Sequence, residues 1–154
     1  MEYNPYALTG KTILVTGASS GIGRAVAIEC SRLGAHVILS ARNKEKLEET
    51  LKMMEGHGHQ VIECDLSKEK EVSLLIDEVP EIQGLVNNAG TTMTVPVPFI
   101  KFNVLSDLLK VNTIAPIMIL SGLVKKKKLR ANSSVVFTSS VSGLGRVSPG
   151  NTMY

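Results

Sequence analysis

The residues with the plainest chemical capacity form a glycine-rich turn, Thr16-Gly17-Ala18-Ser19-Ser20-Gly21-Ile22-Gly23, whose glycines are spaced G-x-x-x-G-x-G. One glycine lets a chain turn tightly, another lets backbone N–H groups approach a pyrophosphate, and a third lets the following helix sit close to the preceding strand. A helix opening at Ile22 would add unpaired N–H groups and the positive end of its dipole. Gly17, Ser19, Ser20, Gly21, Ile22 and Gly23 are therefore candidate phosphate-binding residues. Turns need glycine in any case. It is the position between a buried strand and a helix that favours a nucleotide. A second signal lies at Asn112. Pro116, four residues later, has no N–H, so the Asn112 carbonyl must lose its helical partner and a local bend is expected.

Hydrophobic period supplies the elements that would position these groups. Strands are predicted at 12–15 (TILV), 36–40 (HVILS), 60–64, 84–86 and 134–138 (SVVFT), and helices at 22–33, 44–55 and 69–79. A long helix is expected from the capping residue Asn103 to about Val124. Gly34 suits a helix stop and Pro80 ends the third helix. Five alternating units with short connections and nearly continuous apolar strands predict a parallel sheet covered on both faces, an α/β fold. Ligands are then expected beyond the C-terminal edge of the sheet, where the strand order reverses. No linker divides the 154 residues, and one domain over 1–154 is the reading.

Composition agrees: 44% of residues are apolar and 20% charged, with two cysteines, which excludes disordered, collagen-like and disulfide-rich classes. Cys30 and Cys64 lie 34 positions apart in apolar stretches and read as reduced core residues, with no metal site expected. The net charge of +3 comes from four consecutive lysines at 125–128. A solvated helix-end cap explains them better than a nucleic-acid or lipid patch. The polar lead at 1–8 has no signal-peptide run, and the apolar stretch 114–124 is about half of the roughly 20 residues a span needs. A soluble, cytoplasmic protein without membrane or nucleic-acid partners is expected.

Five motifs then fall in order at the ends of these elements. Leu8-Thr9-Gly10-Lys11 leads into the glycine turn, Asp65-Leu66 follows the third strand and Asn87-Asn88-Ala89-Gly90 the fourth. Asn112 lies in the long helix, and Ser139-Ser140 follows the fifth strand. Together they resemble the short-chain dehydrogenase/reductase family over the entire chain. The resemblance implies a Rossmann-type, doubly wound three-layer sheet and an NAD(P)(H)-dependent oxidoreductase interconverting a carbonyl and a secondary alcohol, a 3-oxoacyl thioester being one candidate substrate. It implies that Asp65, with Leu66, meets the adenine, and that Asn88, Ala89 and Gly90 border the ribose and nicotinamide. Capping of the next helix is an equal reading for Asp65. Asn87 is expected to tie neighbouring strands. At the end of the second strand, Ser40-Ala41-Arg42 carries no acid to hold a free ribose 2′-OH and offers a guanidinium suited to a phosphate. NADP(H) is favoured over NAD(H), against a reading of Arg42 as the start of a solvated loop.

By the same resemblance Ser140 matches the hydroxyl that holds the substrate oxygen, with Ser139 and Ser142 as near alternatives. Tyr154 matches the proton donor. Asn112 matches the residue whose backbone carbonyl holds a relay water. The motif continues Tyr-x-x-x-Lys, and no residue here can take the lysine's place. A chain cut at its proton donor is therefore expected, lacking the later strands and helices and inactive by itself. Two other readings stand beside this one. A sugar epimerase or dehydratase relative would space its glycines G-x-x-G-x-x-G. A catalytically silent nucleotide-binding module has only the missing lysine in its favour. The helix ending at Val124 is apolar on nearly every side from Val111 onward, which suggests a subunit interface once the sheet covers one face, and the resemblance implies a homodimer or homotetramer through this helix.

Overall fold

The structure, a computed structural model, describes residues 4–140. Five strands, β1 (Thr12–Thr16), β2 (His36–Ala41), β3 (Gln60–Glu63), β4 (Ile82–Asn87) and β5 (Leu129–Phe137), form one parallel sheet in the order β3-β2-β1-β4-β5. The order reverses between β1 and β4. The helices are α1 (Gly21–Arg32), α2 (Lys44–Lys52), α3 (Glu69–Glu78), α4 (Phe102–Leu109) and α5 (Ala115–Lys125).

Each strand alternates between two cores, because successive side chains point to opposite faces. Ile13, Val15, Val37 and Leu39 face one core with Ala27 of α1 and Leu47 of α2. Leu14, Ile38 and Leu85 face the other with Leu75 of α3 and Ile119 and Leu123 of α5. Burial on both sides is why the strands read as continuous apolar runs. Helix α5 approaches α3 at Gly122, where an added Cβ would lie 2.6 Å from Ile76 Cδ1.

Several boundaries differ from the sequence reading, each for a local reason. Helix α1 ends at Arg32, one residue before the expected end, with Leu33 as its C-cap and Gly34 just beyond at a left-handed φ of +91° that suits glycine. Helix α3 stops at Glu78 because Val79, before Pro80, is held extended. The long helix starts at Phe102, with Lys101 rather than Asn103 in the capping position and no side-chain cap. Strand β5 begins at Leu129, five residues before the expected start, and takes in a left-handed Asn132 (φ 64°) opposite a register shift between Ile82 and Gly84. Such a bulge breaks the period-2 signal.

Around Asn112 the helix widens into a π turn over Lys110–Ile114, and Ala115 N–H bonds to the Lys110 carbonyl. This is the opening that Pro116 demands: the residue lacking an N–H is absorbed by an extra residue in the turn. Helices α4 and α5 thus join into one 24-residue helix whose most apolar 18 residues have a mean hydropathy of 1.5, enough by length and composition alone to cross a membrane. Its inner face, with Ala115, Ile119 and Leu123, is buried on the sheet and α3, while Ile114, Ile117 and Met118 are exposed.

The lysine run is a helix cap, though for a different helix from its own. Lys128 Nζ donates to the carbonyls of Ile76 (2.9 Å), Asp77 (2.6 Å) and Val79 (2.6 Å) at the end of α3, and Lys126 pairs with Asp77. A cation there offsets the dipole and satisfies orphan carbonyls. Lys128→Met is expected to lower stability by about 1–2 kcal/mol in urea denaturation, and Lys125→Met, whose side chain has no such partners among the described residues, by much less.

Candidate functional site

The turn after β1 is set by close backbone approach. Gly17 (φ +68°) leaves no room for a Cβ, which would lie 2.8 Å from the Ala89 Cα. A Cβ on Gly23 would lie 2.3 Å from the Gly17 carbonyl oxygen and 2.5 Å from Asn88 Nδ2. The start of α1 is thereby pressed against the ends of β1 and β4, the point where the strand order reverses. Thr16, fully buried, completes the joint: its hydroxyl donates to the Val86 carbonyl and accepts from the N–H groups of Asn88 and Ala89, both at 3.1 Å. Asn88 reaches the Thr16 carbonyl through Nδ2 and accepts from Thr138 Oγ1.

Beyond this edge lies an open cleft of about 730 Å3. It runs from Arg42 and Lys46, at the end of β2 and the start of α2, past Ser19, Ser20 and Ile22 to Asn112, Ser139 and Ser140. Gly17, Leu66, Asn88, Ala89 and Gly90 also line it. Gly21 and Gly23 do not, although both were candidates for contact. Gly23 acts behind the cleft by admitting the helix, and Gly21 adopts a left-handed φ of +55° at the turn.

Asp65 is absent from the lining as well. Its Oδ1 accepts from Ser67 N–H (3.0 Å) and Ser67 Oγ (2.8 Å), a local turn ahead of α3, while Lys68 occupies the capping position, where its side chain caps no backbone N–H. Burial alone would raise the Asp65 pKa. The Ser67 hydrogen bonds, with Lys68 and Arg42 nearby, outweigh it and hold the carboxyl below its ordinary value. Glu71 is lowered too, first by its bond from Lys68 and then by the Asp65 N–H. Carboxyls with depressed folded-state pKa values contribute stability that is present above their unfolded values and is lost as pH falls through the folded ones. The urea midpoint is therefore expected to drop as pH is taken below about 4, and Glu71→Gln to flatten part of that drop.

Asn112 is fixed by its side chain. Thr91 N–H donates to Oδ1 and Nδ2 donates to the Thr91 carbonyl, both at 2.8 Å. The π turn is thereby clamped to the loop after β4, with Asn112 at the cleft wall. Asn87 ties the neighbouring strands by its backbone and not by its side chain. It is buried, but its amide nitrogen and oxygen have no partner among the described residues, and the tie to β5 runs through its backbone carbonyl and Thr138 N–H. Cys64 lines the cleft with a thiol that burial, with Glu71, Asp65 and Glu78, pushes up to about 12, so it presents an uncharged wall. Tyr154 and Ser142 lie outside the described residues.

Lys46, Thr91 and Thr138 are cleft residues that the sequence reading left without a role. Lys46 carried a usable signal: it stands four residues after Arg42 in the first turn of α2, where Asn43 Oδ1 accepts the Lys46 N–H as helix cap. Among the described residues the lining holds Arg42 and Lys46 and no Asp or Glu.

The family model described as short chain dehydrogenase matches residues 11–154. The chain is 33% identical over 147 residues to a 3-oxoacyl-(acyl-carrier-protein) reductase of Rickettsia felis, covering 96% of this chain and 60% of that one. To the 3-ketodihydrosphingosine reductase of Mus musculus it is 35% identical over 150 residues, covering 90% and 45%. A solved short chain dehydrogenase/reductase family protein superposes with a TM-score of 0.84 at 26% identity, covering 96% of this chain and 62% of that one. The chain therefore spans about half the length of the curated relatives it matches. With the glycine turn packed at the strand-order reversal, the motifs in their places and a family match over nearly its whole length, this chain belongs to the short-chain dehydrogenase family.

Proposed function

We propose that the cleft binds NADP(H) and serves an oxidoreductase that interconverts a carbonyl and a secondary alcohol. One observation carries this reading: the end of the cleft beside β2 offers two cations, Arg42 and Lys46, with no carboxylate in the lining among the described residues. That donor set suits a ribose 2′-phosphate and lacks the acid that a free 2′-OH would favour. Gly17 and Gly23 support it by bringing backbone close to where a pyrophosphate would rest, and the cleft volume lies within the range of small-molecule sites.

When bound, NADP(H) would supply or accept the hydride. The chain's own residues would hold it and manage the proton. Ser19, Ser20 and Ile22 would meet the phosphates, with Asn88, Ala89 and Gly90 beside the second ribose. Asp65 would act near the adenine through its turn rather than by lining the cleft. Ser140 would hold the substrate oxygen and Tyr154 would donate the proton to it. Asn112 would offer its backbone carbonyl to a proton relay, since the π turn and Pro116 deny that carbonyl an ordinary helical bond. The exposed outer face of α4 and α5, with Ile114, Ile117 and Met118, supports a homo-oligomer through this helix. The two relatives act on 3-oxo and 3-keto compounds by their names, which makes a 3-oxoacyl or 3-keto lipid the substrate class to try first.

The test uses the full-length protein with NADPH deuterated at the transferable position and a panel of such carbonyls. Deuterium on the product's carbinol carbon is the expected result. Binding of NADPH with no transfer to any member would favour the nucleotide-binding module instead.

A further inference from the structure

The glycine turn is gripped from the side away from the cleft by two residues that the proposed site does not include. Thr50, fully buried in α2, shares its single hydroxyl proton between the Ala18 and Lys46 carbonyls, each at 3.0 Å. The same oxygen accepts from Arg24 Nε at 3.0 Å. Arg24, in the first turn of α1, donates from Nη2 to the Ser19 carbonyl at 2.6 Å and to Glu49 Oε2 at 3.3 Å. Ala18, itself fully buried, gives its N–H to the Ser40 carbonyl at the end of β2.

The peptide bonds here are trans, so each carbonyl and the N–H of the next residue point in opposite directions. Anchoring the Ala18 carbonyl on Thr50 turns the Ser19 N–H away from α2. Anchoring the Ser19 carbonyl on Arg24 does the same for the Ser20 N–H. Ser19 and Ser20 both line the cleft. Without these two anchors each peptide could rotate and present an oxygen where an anion needs a donor.

We propose that Arg24 and Thr50 are positioning residues that keep the Ser19 and Ser20 N–H groups aimed at the pyrophosphate of a bound dinucleotide. This rests on the nucleotide reading above. Thr50 also joins the turn to α2, the helix that carries Lys46, so the Lys46 end of the cleft and the glycine turn beside it share one hydrogen-bonded bracket.

The test compares two ligands by calorimetry on the full-length protein: NADPH, which carries the pyrophosphate, and adenosine 2′-monophosphate, which reaches only the Arg42 end. Arg24→Met keeps the side-chain stem and removes the donors, and Thr50→Val keeps the shape and removes the hydroxyl. Each is expected to weaken NADPH about tenfold, one hydrogen bond's worth, while adenosine 2′-monophosphate changes less than about twofold. Arg24→Lys, which can still reach a carbonyl, should recover part of the NADPH loss. Unchanged NADPH affinity in both variants, or equal weakening of both ligands, would overturn the inference. Wild-type protein that binds neither ligand would instead remove the nucleotide reading, and this one with it.

Discussion

Replacing Gly23 by alanine is expected to abolish measurable NADPH binding and to lower stability by about 3 kcal/mol. The new methyl group would lie 2.3 Å from the Gly17 carbonyl oxygen and 2.5 Å from Asn88 Nδ2. The first contact is with backbone that cannot yield as a side-chain tip would. Relief requires α1 to move off the sheet, which carries Ile22 and the helix N-terminus away from the cleft and strains the Thr16 bonds to Asn88 and Ala89. Gly21→Ala serves as the comparison. Its Cβ meets nothing within 4 Å, and the cost there is only that of a left-handed φ, roughly 1 kcal/mol. A Gly23→Ala protein as stable as the wild type and still binding NADPH would mean that the close approach of α1 is not needed.

The second large effect concerns cofactor choice. Arg42→Ala with Lys46→Ala is expected to weaken NADPH by about 100-fold while leaving NADH within about twofold, since each cation's charge-assisted bonds to a phosphate amount to roughly 1.5 kcal/mol. Both side chains extend from an exposed segment at the start of α2, where Asn43 caps the helix. The fold has little stake in them, and the melting temperature should hardly move. Equal weakening of both cofactors would show that these residues support the adenine pocket generally.

What could be read from the residues alone depended on how locally each feature is determined. Strands β1 and β2 are buried on both faces, so their uninterrupted apolar runs show directly in TILV and HVILS. The first half of β5, with Arg130, Asn132 and Ser133, pairs with β4 through a bulge and carries no pattern to detect. The opening at Asn112 was legible because Pro116 removes a specific donor. The clamp of its side chain on Thr91 was not, since it spans 21 residues and depends on where the loop after β4 returns. Lys128 likewise could be read as a cap, but its target on α3 lies about 50 residues away. Asp65 follows β3 as its motif implies, and its Oδ1 is taken by the N–H and hydroxyl of Ser67 two residues on, a local turn that the motif does not encode.

A cleft with Arg42 and Lys46 at one end is expected to take a dinucleotide bearing a 2′-phosphate. The most direct measurement is a calorimetric titration of the wild-type protein with NADPH and, separately, with NADH. One site per chain and at least about tenfold tighter binding of NADPH are expected, the contribution of one charge-assisted contact at Arg42 or Lys46. Equal affinities, or tighter binding of NADH, would contradict it.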